Sequence, residues 1–207
     1  MSGDAKFFVG VAAAAVLVIV GVAVFNKQKP PVTEVDLSLA RTLGEATAPV
    51  TITEFGDFQC PACAAAAAPL EEVYERNKEK VRLAYIHFPL PSHKNAEVAA
   101  AASEAAHLQG KFWEIYDLLF SRQSQWAEVS DPKLIFRGYA GELGLNVDQF
   151  AKDLDSGEVR NAVRAGKNHG LDLDVNQTPT FYINGKKITG VRSADDWQKL
   201  IDEAAAS

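Results

Sequence analysis

The only two cysteines of this chain, Cys60 and Cys63, are separated by two residues in Phe58-Gln59-Cys60-Pro61-Ala62-Cys63. The pair directly follows an apolar, β-branched run and directly precedes an alanine-rich run. A strand, a turn and a helix must therefore meet at the sulfurs. A Cys-Pro-x-Cys at such a junction points to thiol–disulfide exchange, because the spacing lets a disulfide close within the first turn of one helix. No other cysteine competes for either sulfur.

The 207 residues are 47% apolar and 23% charged, enough for one ordinary globular domain with length to spare. A formal charge of -6 and the lack of a basic stripe with interleaved aromatics argue against nucleic acid as a partner. Two cysteines cannot scaffold a fold of this size, so packing must hold it.

The spare length lies at the N-terminus. Phe7–Phe25 carries no charged side chain, and its 19 residues would span ~28 Å as a helix, close to the ~30 Å of a bilayer's hydrocarbon core. Val24-Phe25-Asn26-Lys27 offers a signal peptidase no small-x-small site, so the run is expected to remain as a single-pass anchor after a short tail, residues 1–6. A cleaved signal or a buried helix are the alternatives. Lys6 on one side and Lys27 and Lys29 on the other leave orientation nearly balanced. The redox site and the expected fold place the large domain outside the cytoplasm.

Residues 26–43, with Pro30-Pro31, are expected to form a linker whose end, Val35–Leu43, is ambiguous. The domain is expected from residue 44 to residue 207. Val50–Phe55 reads as a strand, Pro61 to about Asn77 as a helix, and Val81–Phe88 as a second strand. A helical insertion, about residues 95–170, follows. It comprises Ala96–Leu108, a segment with Phe112, Tyr116, Leu119 and Phe120 at core spacing, Pro132–Gly141 and Val147–Ala165. Trp113 and Trp126 also read as core. Asn184-Gly185 between Thr180–Ile183 and Lys186–Thr189 predicts a type I′ hairpin, and Ala194–Ala205 an amphipathic last helix. The order β-α-β, helices, β-β-α is that of an α/β thioredoxin-like fold with a helical insertion.

Cys60 stands at the helix start, where free N–H groups and the dipole favour a thiolate, and Pro61 suits the first helical position. Cys60 is therefore expected to attack and Cys63, one turn deeper, to resolve. A structural disulfide is the plainer reading, although closing so short a loop stabilises little. Two sulfurs alone cannot complete a zinc site, and copper(I) would find Met1 as the only methionine, so no metal or cofactor is assigned. His87, His93, His107 and His169 read as surface or locally bonded residues. Glu54 shares strand parity with Val50 and Ile52, which points it into the core, where its pKa would rise and it could relay protons to Cys63. The alternative is a strand-end glutamate that reaches solvent. Pro179, in Thr178-Pro179-Thr180, begins a strand, where spacing alone cannot establish a cis bond.

Three motifs in order, Glu54-Phe55-Gly56-Asp57-Phe58-Gln59-Cys60-Pro61-Ala62-Cys63, Phe88-Pro89-Leu90 and Gln177-Thr178-Pro179-Thr180-Phe181, resemble those of DsbA-like thiol:disulfide oxidoreductases. Within that family, the membrane-anchored bacterial subgroup is the nearest in kind. The resemblance implies Cys60 as nucleophile, Cys63 as resolving cysteine, Glu54 as buried carboxylate and Pro179 as a cis-proline facing the cysteines. It implies that Thr178 offers its backbone to the substrate peptide. It further implies an oxidase of exported protein thiols, reoxidised by a quinone-linked membrane partner. The family's strongest oxidants carry histidine between the cysteines, where this chain has Ala62; that predicts a less oxidising disulfide and keeps reductase or isomerase use open. A membrane-tethered binding or copper-delivery module is the alternative from another class.

Overall fold

The computed structural model describes residues 34–206, and the expected span Phe7–Phe25 lies outside them. Among the described residues no helix is long and apolar enough to cross a membrane. Five strands form one sheet there: β1 (Arg41–Leu43), β2 (Val50–Gly56), β3 (Val81–His87), β4 (Thr180–Ile183) and β5 (Lys186–Thr189), in the spatial order β1-β3-β2-β4-β5. β2 and β3 run parallel, from Val50 opposite Val81 to Gly56 opposite His87, and α1 (Pro61–Arg76) connects them. Strands joined in parallel need such a crossover. Both central strands are buried on both faces apart from Thr51 and Arg82, which matches their continuous apolar character.

One face of the sheet packs Val50, Ile52 and Phe181 against Leu70 and Val73 of α1, and against Trp197 and Ile201 of α8 (Ala194–Ala205). Phe55, Ile86, Phe88 and Tyr182 form the opposite core. Between β3 and β4 the chain inserts α2 (Ala96–His107), α3 (Phe112–Ser121), α4 (Gln123–Trp126), α5 (Lys133–Glu142), α6 (Val147–Leu154) and α7 (Gly157–Asp172). This block packs Ile115, Leu119, Trp126, Phe136 and Phe150 together with Phe58, Tyr85 and Cys63. The largest of these clusters thus includes a redox sulfur.

Two expectations are corrected. The segment Val147–Ala165 is two helices, because Ser156 Oγ accepts from Val159 N at 3.1 Å and restarts the chain as a new N-cap. The sheet also begins before residue 44, inside the stretch expected to be linker. β1 pairs antiparallel with β3, Arg41 opposite Tyr85 and Leu43 opposite Leu83. Three residues are too few to show a period of two, and what holds them comes from afar. Arg41 Nε donates to Glu104 Oε1 at 2.8 Å, and His87 Nε2 lies 2.8 Å from the same oxygen. Against a burial that raises it, His87 and Arg41 hold the Glu104 carboxyl down at about 2. Trp113, only partly buried, donates its indole N–H to Thr42 O at 3.0 Å.

At the far end of the sheet Asn184 and Gly185 both take positive φ, 45° and 83°, as a type I′ turn requires. Asn184 Oδ1 also accepts from Thr51 N at 2.8 Å, tying the hairpin to β2.

Candidate active site

Cys60 is the N-cap of α1, in extended backbone conformation, and Pro61 is the first helical residue. Its carbonyl accepts from Ala64 N at 3.1 Å, and its own N–H donates to Asp57 O at 3.0 Å. No disulfide joins the two cysteines in this structure. They differ in access: Cys60 is 6% exposed and Cys63 0%. A bond from the Cys63 thiol draws the Cys60 pKa down to about 5, against the cost of burial. The Thr178 side chain and the N–H groups of Cys63 and Ala62 add to it. Burial first, then the bond given to Cys60, pushes Cys63 well above the ordinary thiol range. One sulfur is held as thiolate and the other as thiol, as the helix-end argument expects for their two positions.

The Thr178–Pro179 peptide is cis. It brings Thr178 O to 3.4 Å from Cys60 Sγ, where it accepts from the thiol form. The Thr178 hydroxyl is buried. Strand β4 starts immediately after, at Thr180, and pairs with β2 from Phe55 opposite Thr180 to Ile52 opposite Ile183. That register delivers Pro179 to the end of β2 from which the chain runs to Cys60.

Glu54 does not reach solvent. It is 3% exposed, on the β2 face that also carries Val50 and Ile52. Burial raises its pKa to about 8, although the neighbouring Cys63 and the Tyr116 hydroxyl favour the charged form. The Tyr116 hydroxyl stands 3.5 Å from Glu54 Oε2. Tyr85, opposite Glu54 in the parallel register, is 1% exposed. Gly56 makes room for it, since a Cβ there would lie 2.4 Å from Tyr85 Cε2. Phe58 stacks on Tyr85 with ring centroids 5.0 Å apart and meets Phe120 at 4.9 Å. This aromatic layer keeps water from Glu54 and Cys63.

Several residues that shape the site were not singled out by the sequence. Asp57 Oδ1 accepts from Gln59 N at 2.7 Å. Its Oδ2 accepts from Leu90 N at 2.9 Å and lies 2.7 Å from His93 Nδ1. The loop entering Cys60 and the Phe88-Pro89-Leu90 segment are thereby joined. Gln59 Nε2 donates to Ala127 O at 2.8 Å, and its Oε1 accepts from Asn95 N at 2.6 Å. Gln123 Nε2 donates to Phe58 O at 2.8 Å and to Cys60 O at 3.1 Å. Only the type of these residues is visible in the sequence; apart from the local bond from Gln59 N to Asp57 Oδ1, their partners lie 33–68 positions away.

His87 bonds Glu104, His93 faces Asp57 and His169 Nε2 accepts from Asp36 N at 2.8 Å, so each of these three is placed by a distant partner. Among the described residues no three His, Cys, Asp or Glu side chains group as metal ligands.

The thioredoxin family model matches residues 38–203. The probable disulfide bond formation protein D of Bacillus anthracis is 34% identical over 201 residues, covering 91% of each chain. The Na(+)/H(+) antiporter NhaA 1 of Salinispora arenicola is 40% identical over 166 residues, which are 79% of this chain and 24% of that protein. The chain thus spans about a quarter of the length of the antiporter relatives it matches. In fold it is similar to the oxidised form of BdbD from Bacillus subtilis, with a TM-score of 0.75 at 22% identity, covering 84% of this chain and 97% of that one.

Proposed function

We propose that the chain, which belongs to the thioredoxin family, is a DsbA-like thiol:disulfide oxidoreductase whose Cys60–Cys63 pair forms disulfide bonds in exported proteins. The observation that carries the direction is the Cys60 thiolate, held at about 5 while Cys63 stays a thiol. A stabilised thiolate favours the reduced protein and so makes the disulfide form oxidising.

In the oxidised protein, a substrate thiolate attacks Cys60 Sγ and the Cys60–Cys63 bond breaks. Cys63 leaves with the electron pair and takes the proton that Glu54, with its raised pKa, carries near neutral pH. A second substrate thiolate then attacks the substrate sulfur of the mixed disulfide. Cys60 leaves as the thiolate its surroundings favour. Two electrons have passed from the substrate dithiol to the protein, and a substrate disulfide is released. Thr178 and the cis Pro179 flank Cys60, and the substrate peptide is proposed to lie along Thr178.

Reoxidation calls for a partner that accepts two electrons, proposed to be a quinone-linked membrane protein. Phe7–Phe25 is proposed to anchor the chain with residues 44–207 on the extracytoplasmic side, a reading supported by the length and composition of the span. The segment shared with the antiporter relatives is proposed to be the redox domain and not their ion-exchange machinery.

Two measurements test this. Cys63→Ser should trap mixed disulfides with exported proteins, while Cys60→Ser traps none; the reverse pattern would exchange the roles of the sulfurs. Alkaline carbonate should leave the full-length protein in the membrane pellet, with its large domain open to protease added outside spheroplasts. Release of a shortened soluble form would refute the anchoring, and complete protection would place the cysteines in the cytoplasm. A reductase or isomerase reading draws on Ala62, which adds no charge beside Cys60. A reduction potential near that of thioredoxin, about -270 mV, would favour it.

A further inference from the structure

Glu54 is sealed, yet the reading of Cys60, Cys63 and Glu54 as a redox site requires it to give up and regain a proton in every cycle. Some path must connect it to bulk water. Tyr116 is the side chain in the right place. Its hydroxyl faces Glu54 Oε2 at 3.5 Å, and the same residue lines a cavity of about 140 Å³ between α1 and α3. Glu71 and Glu75 of α1 and Asp117 of α3 also line that cavity, beside Trp113. Its volume exceeds that of one water, and the three carboxylates on its wall give water partners to bind. Asp117 itself is exposed.

We propose that Tyr116 and the cavity beside it, with Asp117 at the mouth, form the proton path between Glu54 and solvent. A proton enters from bulk water at Asp117 and crosses the cavity along water. The Tyr116 hydroxyl accepts it on one lone pair while releasing its own proton to Glu54, so the tyrosine ends neutral. The outward path is the reverse. Although Asp117 reaches solvent, partial burial of its carboxyl first, then Glu71 and Glu114, raises it to about 6, so near neutral pH it can both take and give a proton. Tyr74 of α1 lines the same cavity, while Leu43 of β1 and Leu83 of β3 add no charge to it. Tyr85 is the competing route, since its hydroxyl is also buried beside Glu54; it has no hydrogen-bond partner.

The inference rests on the redox reading but is tested apart from it, by the rate at which the Glu54 carboxyl exchanges its proton for deuterium. The full chain in its reduced form is mixed rapidly into D₂O, and the protonated-carboxyl infrared band is followed, assigned by its loss in Glu54→Gln. Tyr116→Phe, which keeps the ring, should slow the exchange at least tenfold. Asp117→Asn should slow it two- to fivefold, and Tyr85→Phe should leave it unchanged. Exchange at the wild-type rate in Tyr116→Phe, or slowing by Tyr85→Phe as great as that by Tyr116→Phe, would overturn the path. The mixed-disulfide trap reports separately on the redox reading, because it needs no proton to leave Glu54.

Discussion

Lowering the pH from 7 to 4 should change the number of protons taken up when the Cys60–Cys63 disulfide is reduced. Cys60 titrates at about 5, while Cys63 remains protonated throughout. Between about pH 5 and 7, reduction therefore consumes two electrons and one proton, and the potential falls by about 30 mV per pH unit. Below pH 5 Cys60 also takes a proton and the slope doubles to about 59 mV. The same numbers fix the advantage at pH 7. A thiol titrating two units below ambient pH favours the reduced form by about 3 kcal/mol, equivalent to about 60 mV. The sign follows from the direction of the shift. A depressed acid contributes its full stabilisation only above the ordinary thiol pKa, part of it at pH 7, and none once pH has fallen through about 5. The protein would be equilibrated with glutathione redox buffers across this range, quenched and alkylated, with thiolate absorbance followed in parallel. A single slope of about 59 mV from pH 4 to 7, with thiolate absorbance rising only near the ordinary thiol pKa, would refute the reasoning.

Glu54→Gln should slow the departure of Cys63 by about 100-fold near neutral pH, with Cys60 alkylation unaffected; stopped-flow reduction measures the first and timed alkylation the second. The same variant should flatten stability against pH. A carboxyl raised to about 8 by burial destabilises the fold progressively as pH rises from its ordinary value toward 8, and glutamine has no charge to bury. Thermal unfolding at pH 5 and pH 8 reads this, and an undiminished pH dependence in the variant would contradict it. Ala62→His should lower the Cys60 pKa and raise the potential by at least about 30 mV, equivalent to about 1.4 kcal/mol; an unchanged potential removes residue 62 from the explanation. Gly56→Ala should cost about 1–3 kcal/mol in denaturant unfolding, because its Cβ would meet Tyr85 at 2.4 Å; an unchanged midpoint would show that Tyr85 moves freely.

The parts of the fold legible in the sequence are those whose cause is local. Strand parity put Glu54 on the face of Val50 and Ile52, and Asn184-Gly185 marked the hairpin, whose strands Thr180–Ile183 and Lys186–Thr189 lie where the pattern places them. Helical spacing put Tyr116 in the core, where it is 6% exposed. Spacing reports a side chain's face and not the partner of its tip, so the meeting of Tyr116 with Glu54 was not visible. Neither was β1, whose pairing and ion contacts are supplied by β3 and α2. The break at Ser156 had a local signal that the reading of one long helix passed over: Asp155-Ser156-Gly157-Glu158 interrupts the apolar spacing with an N-cap serine. Asp57, Gln59 and Gln123 looked like ordinary loop polars because, apart from the local bond from Gln59 N to Asp57 Oδ1, the partners that give them meaning are remote.

Gln59, Asn95 and Gln123 carry a consequence for modularity. The helical insertion supplies two of these three residues, and the Ala127 carbonyl, to the loop that presents Cys60. It also buries Phe58 and Cys63 within its own core. Excising residues 95–170 would therefore not leave a smaller working thioredoxin; it would release the nucleophile's own main chain. Exchanging the insertion between relatives should likewise alter the reactivity of the cysteines.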